Sequence, residues 1–234
     1  MTKIKQYTSA TGFRRALEER LGQIAKTEGA EIQNLRRQVS FDRFLTRLFA
    51  EEPAPWILKG GYAMQLRNVN ARSTKDIDLA VKEGRLFSED KKEQINAIHE
   101  VLQERTKLDL GDFFEFIVTG PVRDLSAAPE GGARFHVEAR MDGRSFEKFQ
   151  LDIGVGDVWI DPVEKLSSRS WLEFAGIKGQ VFPAISKEQQ FAKKLYAYTL
   201  PRGDTWSLDP SNQSVCLLSG ALRENQNTYD HECK

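Results

Sequence analysis

Apolar positions change their period several times along this chain, and each change marks an element. From residue 8 to residue 50 they recur at helical spacing. Phe13, Leu17, Leu21 and Ile24 form one stripe; Ile32, Leu35, Val39, Phe44, Leu45 and Leu48 form a second. Thr8 or Ser9 can cap the first helix, Gly29 separates the two, and Pro53 and Pro55 close the second. Trp56-Ile57-Leu58-Lys59 then reads as a short strand. Gly60-Gly61 follows, and Tyr62, Ala63, Met64 and Leu66 return to helical spacing. Asp76 to Val81 begins by alternating charged and apolar residues and ends wholly apolar, which predicts a strand. Residues 89–105 predict a charged amphipathic helix with Ile95, Ile98, Val101 and Leu102 inward.

Beyond residue 105 the period becomes two. Phe113 to Val118, Arg134 to Met141 and Arg144 to Val155 predict strands, the last two joined by the hairpin dipeptide Asp142-Gly143. Residues 120–133, rich in Pro and Gly, predict a loop. Ser186-x-x-Gln189 is a capping box that opens a late helix with Phe191, Leu195 and Tyr198 as its expected buried stripe; Pro201 and Gly203 end it. From about residue 204 the pattern dissolves. Helices alternating with a mixed sheet give an α/β (α+β) class. The expected organisation is an N-terminal helical segment over 1–55, a core over 56–160 and a helical C-terminal part over 161–234.

The strand from Asp76 carries the first candidate chemistry. Alternation puts Ile77, Leu79 and Val81 on one face and both Asp76 and Asp78 on the other. Two carboxylates so close repel each other unless a cation neutralises them, and magnesium, which favours one or two carboxylates together with substrate phosphates, suits that need. Alone, Asp-x-Asp also fits a solvated strand. Upstream, Lys59-Gly60-Gly61 joins a strand to a helix, where glycine allows close backbone approach and a helix start offers unpaired N–H groups to a phosphate. It is no P-loop, since G-x-x-x-x-G-K-[ST] is missing.

In Phe149-Gln150-Leu151-Asp152-Ile153, Asp152 points away from the apolar face as the first pair does. On a neighbouring strand in register it would complete a three-carboxylate cluster able to hold two metals. Asp157 is the weaker alternative and fits a loop residue. On the late helix Lys194 flanks the expected buried stripe, so it either snorkels or serves a triphosphate as a point charge. Arg72 and Thr74 precede the first pair and could touch phosphate or ribose.

Composition narrows these readings modestly. Lys plus Arg and Asp plus Glu each total 34, so net charge is zero, against a protein that lives on non-specific duplex binding. The basic excess along residues 14–47 fits a solvated helical face or a local nucleic-acid surface. Two cysteines, Cys216 and Cys233, and three scattered histidines suggest neither a disulfide framework nor a zinc site. No run reaches the roughly 18 apolar residues of a membrane span, and the first residues lack a signal-peptide core, so a cytoplasmic location is expected.

Four segments together resemble the AbiEii toxin family of toxin–antitoxin and abortive-infection systems. They are Trp56 to Met64, Arg72-Ser73-Thr74-Lys75-Asp76-Ile77-Asp78-Leu79, Leu151-Asp152-Ile153-Gly154-Val155-Gly156-Asp157, and Glu188 to Ala197; the likeness runs from about residue 10 to about 203. It implies a polymerase-β-like nucleotidyltransferase core followed by helices, the use of NTP and Mg2+, addition of nucleotides to the 3′ end of tRNA, and a cognate antitoxin protein. By position, Gly60 and Gly61 match the family's first motif, Asp76 and Asp78 its metal pair and Lys194 its helical lysine. The segment after Pro201-Arg202-Gly203 departs from the family, which continues into an arginine-rich stretch and a Lys-Asp motif; Asp204 and Asp209 stand in another context. Two alternatives remain open: a small-molecule or protein hydroxyl as acceptor, and a catalytically impaired module that binds nucleotide or antitoxin.

Overall fold

The computed structural model describes residues 6–51, 53–68, 71–81, 90–124 and 131–199. The atypical tail from about residue 204 lies outside them. The chain divides into two compact units, Met1–Ser186 and Lys187–Lys234.

Helix α1 spans Ala10–Glu28. Its cap is Ser9, whose side chain accepts the Gly12 N–H at 3.3 Å, and it ends at Gly29, held at φ 64° in the left-handed region. Helix α2, Ile32–Leu48, is buried without interruption from Val39 to Leu48. Strand β1 is Trp56–Lys59, helix α3 Gly60–Arg67, strand β2 Asp76–Val81 and helix α4 Lys91–Thr106, capped by Asp90. Strands β3 (Glu115–Val118), β4 (Arg123–Asp124), β5 (Gly132–Met141) and β6 (Arg144–Val155) follow. Asp142 and Gly143, at φ 57° and 67°, make the tight turn between β5 and β6 that their sequence predicts.

The predicted loop over 120–133 contains β4 and the start of β5, each a short run amid Pro and Gly whose pairing with a neighbour outweighs local propensity. A second departure concerns residues 161–186, expected to begin a helical part. They form strands β7 (Glu164–Ser167) and β8 (Val181–Ala184) with one 3-10 turn, Glu173–Ala175, between them. Four-residue strands, one containing Pro183, are too short to show a period of two.

The strands make one mixed sheet in the order β3-β5-β6-β2-β1-β8-β7, with β4 paired to β5. Strand β2 runs parallel to β6 and β1 parallel to β8; the other pairs are antiparallel. One face carries Ile77, Leu79, Phe135, Val137, Phe149, Leu151 and Ile153, packed into a core with α1, α2 and α4. Burying these side chains contributes roughly 1.5–3 kcal/mol each, which fixes which face of β2 looks inward.

The basic excess of the first two helices is engaged in packing. Arg14 donates to the Met141 carbonyl at 2.8 Å, Arg36 to Glu18 at 2.7 Å and Arg37 to Glu147 at 3.3 Å, while Arg20 lies 4.4 Å over the Phe174 ring. Arg43 and Arg47 are buried. These arginines serve packing within the fold, which neither the solvated-face reading nor the nucleic-acid-surface reading expected.

In the second unit, helix α5 spans Lys187–Thr199, starting one residue after Ser186 as the capping box requires. Its stripe differs from the expected one: Phe191 is 69% exposed, and Leu195 only half-buried. Helical spacing locates a stripe but not the surface that covers it. Among the described residues no helix is long and apolar enough to cross a membrane.

Candidate active site

The candidate centre lies on the sheet face opposite the helix-covered core. Register brings its residues together. Asp78 pairs with Asp152 across the parallel β2–β6 ladder, Lys59 with Asp78 across β1–β2, and Arg134 with Asp152 across β5–β6. Across four neighbouring strands one row therefore runs Arg134, Asp152, Asp78, Lys59, with charges plus, minus, minus, plus. Asp76 sits one row out on the same face of β2, aligned with Gln150 and His136.

Three local constraints shape this row. First, Gly60 adopts φ 69°, and a Cβ there would overlap Asp78 Oδ2; only glycine lets the chain turn from β1 into α3 against that carboxylate. Second, a Cβ on Gly61 would lie 2.6 Å from Thr74 Oγ1, so both glycines are demanded by close approach. Third, the Gly61 N–H, at the start of α3, donates to Asp78 Oδ2 at 3.4 Å. The Thr74 hydroxyl donates to Asp76 Oδ1 and orients it. Lys59 Nζ donates to Asp157 Oδ2, so the loop aspartate after β6 holds the lysine that ends β1.

Electrostatics separate the carboxylates. Burial, then Asp76, then Asp152 raise the pKa of Asp78 to about 6, against the opposing pull of Lys59 and the Gly61 N–H. In the next row Ile57 pairs with Ala80, and with Ile185 they form a small apolar patch, backed by Trp159 and Val163. Asp152 has a different partner. Arg134 donates Nε to Oδ1 and a terminal nitrogen to Oδ2, both at 2.6 Å, and these bonds, with the neighbouring carboxylates, raise the arginine's own pKa.

The sequence-predicted residues are thus placed as follows. Lys59, Gly60, Gly61, Thr74, Asp76, Asp78 and Asp152 share one neighbourhood. Arg72 is exposed in the segment leading to β2. Lys194 is exposed on α5, in the second unit. Among the described residues no group of three or more His, Cys, Asp or Glu side chains is placed to hold a metal. Asp76, Asp78 and Asp152 are neighbours in register, the third clasped by an arginine, and not gathered into the expected metal-holding cluster. Two carboxylates together with substrate phosphates still match magnesium's usual protein ligands. Sequence reading missed Arg134 altogether. A separate open cavity of about 880 Å³ runs along β3 between Thr106 and Asp142, and none of these residues lines it.

No curated protein matches the chain in sequence. Among solved structures it is similar to MenT4, a nucleotidyltransferase toxin of Mycobacterium tuberculosis H37Rv, with TM-score 0.54 and 17% identity over 76% of this chain. The likeness is one of fold, and the chain spans 58% of MenT4's length. The family model described as "Nucleotidyl transferase AbiEii toxin, Type IV TA system" matches residues 43–208, more than half of the chain and the whole carboxylate centre. The chain belongs to the AbiEii nucleotidyl transferase toxin family of type IV toxin–antitoxin systems.

Proposed function

We propose that this chain is the toxin of a toxin–antitoxin pair, and that it transfers a nucleotide from an NTP to the 3′ end of tRNA in the cytoplasm, with Mg2+ held by Asp76 and Asp78. The observation that carries this reading is the row of register-aligned charges in which Asp78 faces both another carboxylate and the Gly60-Gly61 turn. Asp78, raised to about 6 by burial and by its neighbours, is a group that a cation would relieve. Family membership adds an antitoxin as the expected protein partner.

Each residue then has a task. When bound, magnesium supplies neutralising charge for the triphosphate and lowers the pKa of the acceptor hydroxyl. Gly60 and Gly61 let the triphosphate approach the backbone, and the N–H groups at the start of α3 bind it. Thr74 fixes the direction of Asp76, and Arg72 is exposed beside them to meet phosphate. Lys59, held by Asp157, keeps a positive charge beside Asp78. The acceptor oxygen bonds to the α-phosphorus as the bond to pyrophosphate breaks. The role of Lys194, a point charge for the triphosphate, rests on the family resemblance, and Lys194→Ala tests it by a selective rise in the KM for NTP.

The direct test incubates the chain with each α-labelled NTP and total tRNA, with and without magnesium. Label should enter tRNA only with magnesium, and Asp76→Ala and Asp78→Ala should abolish it. Label confined to protein would overturn the RNA acceptor; no label anywhere would overturn the transferase reading.

A further inference from the structure

Three carboxylates in one neighbourhood suggest two cations, yet the third of them is already matched. Both oxygens of Asp152 accept from Arg134 at 2.6 Å. Arg134 is bidentate, which sets its direction, and it stands on strand β5, with a side-chain exposure of 27% against 14% for Asp152. A guanidinium cannot lose its proton in a protein, so this clasp does not open by titration. Opening it means breaking two charge-assisted hydrogen bonds of a half-buried pair. A cation taken up by Asp152 would also face the released guanidinium a few ångströms away.

Asp76 and Asp78 differ. Their partners are a neutral hydroxyl and a backbone N–H, with Lys59 held by Asp157. One divalent cation between them, plus Arg134 on Asp152, balances the three negative charges. A second divalent cation would leave the row positive.

From this we infer that the centre takes a single divalent cation, between Asp76 and Asp78, and that Arg134 supplies to Asp152 the counter-charge a second cation would otherwise bring. Arg134 is a positioning residue: it fixes Asp152 as an acceptor of hydrogen bonds on the flank of the cation site. The inference rests on the proposed cation-dependent reading of this centre.

The test counts cations. Mn2+ is titrated into the full chain without nucleotide, and bound metal is read by electron paramagnetic resonance and calorimetry. Wild type should bind one Mn2+. Asp76→Asn should weaken that binding at least tenfold. Asp152→Asn should keep one Mn2+ with affinity within about threefold, and Arg134→Met, with its fold checked by circular dichroism, should bind two. Two Mn2+ in wild type, or a tenfold loss in Asp152→Asn, overturns the inference and leaves the transferase reading intact. A folded Arg134→Met that still binds one also overturns it. Wild type that binds none overturns the cation reading of the centre itself, and the inference with it. Should Arg134→Met not fold, the Asp152→Asn titration decides alone.

Discussion

Two groups of carboxylates sit in the first unit under opposite electrostatics. Asp112, fully buried just before β3, is surrounded by donors. Arg47 gives it bonds of 2.7 and 3.1 Å, Arg43 one of 2.7 Å, and the Phe114 N–H one of 3.1 Å. Burial would raise its pKa, but the two guanidiniums together outweigh burial and hold it below the usual carboxylate range. At the other group, Asp78 faces Asp76 and Asp152, and its pKa is raised to about 6. Where charge only ties α2 to the loop before β3, the fold surrounds Asp112 with cations. At the candidate centre, like charges stand side by side, and burial and repulsion outweigh the pull of Lys59 and the Gly61 N–H. Even the first group has one disfavoured member: Asp42, also raised to about 6 by burial first, has an oxygen without a hydrogen-bond partner among the described residues.

The largest expected effect falls on the structural group. Asp112→Asn leaves Arg43 and Arg47 buried against a neutral amide, and should destabilise the fold by about 3–5 kcal/mol in urea unfolding. Nucleotide transfer per folded molecule should persist; a change below about 1 kcal/mol would erase the contrast. At the centre the sign reverses. Asp78→Asn removes a disfavoured charge and should stabilise the ligand-free chain at pH 7 by on the order of 2 kcal/mol. Destabilisation there would show that Asp78 is held for structure.

Gly60→Ala should cost roughly 1–2 kcal/mol from the left-handed backbone alone and should also displace the Asp78 carboxylate, so Mn2+ affinity should fall with it. Unchanged Mn2+ affinity would mean that the turn does not shape the cation site.

The pH response has the same origin as the Asp78→Asn gain. Asp78 has a folded pKa of about 6 against 3.8 unfolded, so its cost is absent below about 4 and complete above about 6. Ligand-free stability should therefore fall as pH rises through that window, and Asp78→Asn should flatten part of the fall, leaving the share due to Asp42. Asp112, lowered in the fold, adds stability above its unfolded pKa and loses it as pH falls further. A stability optimum near pH 4 is expected in urea unfolding followed across pH. A profile with no decline between pH 4 and 6 would contradict the shift assigned to Asp78.

Much of this centre is legible in the sequence, because a strand's period of two fixes which side chains share a face. That put Asp76 and Asp78 together and put Asp152 on the matching face of β6, and the parallel ladder places Asp78 beside Asp152. The glycines were legible as a close approach, though their contacts, Asp78 and Thr74, required the tertiary arrangement. Arg134 was missed because a tight turn at Asp142-Gly143, continued regularly, pairs Asp152 with Ala133. A register shift between Ala139 and Arg140 moves the pairing by one and brings Arg134 opposite. The sequence does hold a trace of that shift. Core residues at 133, 135 and 137 and at 149, 151 and 153 can share a face only if one residue is skipped, and the buried Phe146 is the one skipped. Strands β7 and β8 left no such trace, since four residues beside a proline hold no measurable period.

The most direct measurement compares wild type with Asp78→Asn in one preparation, reading urea stability without ligand and transfer of α-labelled NTP to tRNA with magnesium. The variant should be more stable and should transfer at least a hundredfold less label per folded molecule. A variant that transfers label at the wild-type rate, or is inactive only because it has lost its fold, would contradict the assignment of Asp78 to a cation-binding transferase centre.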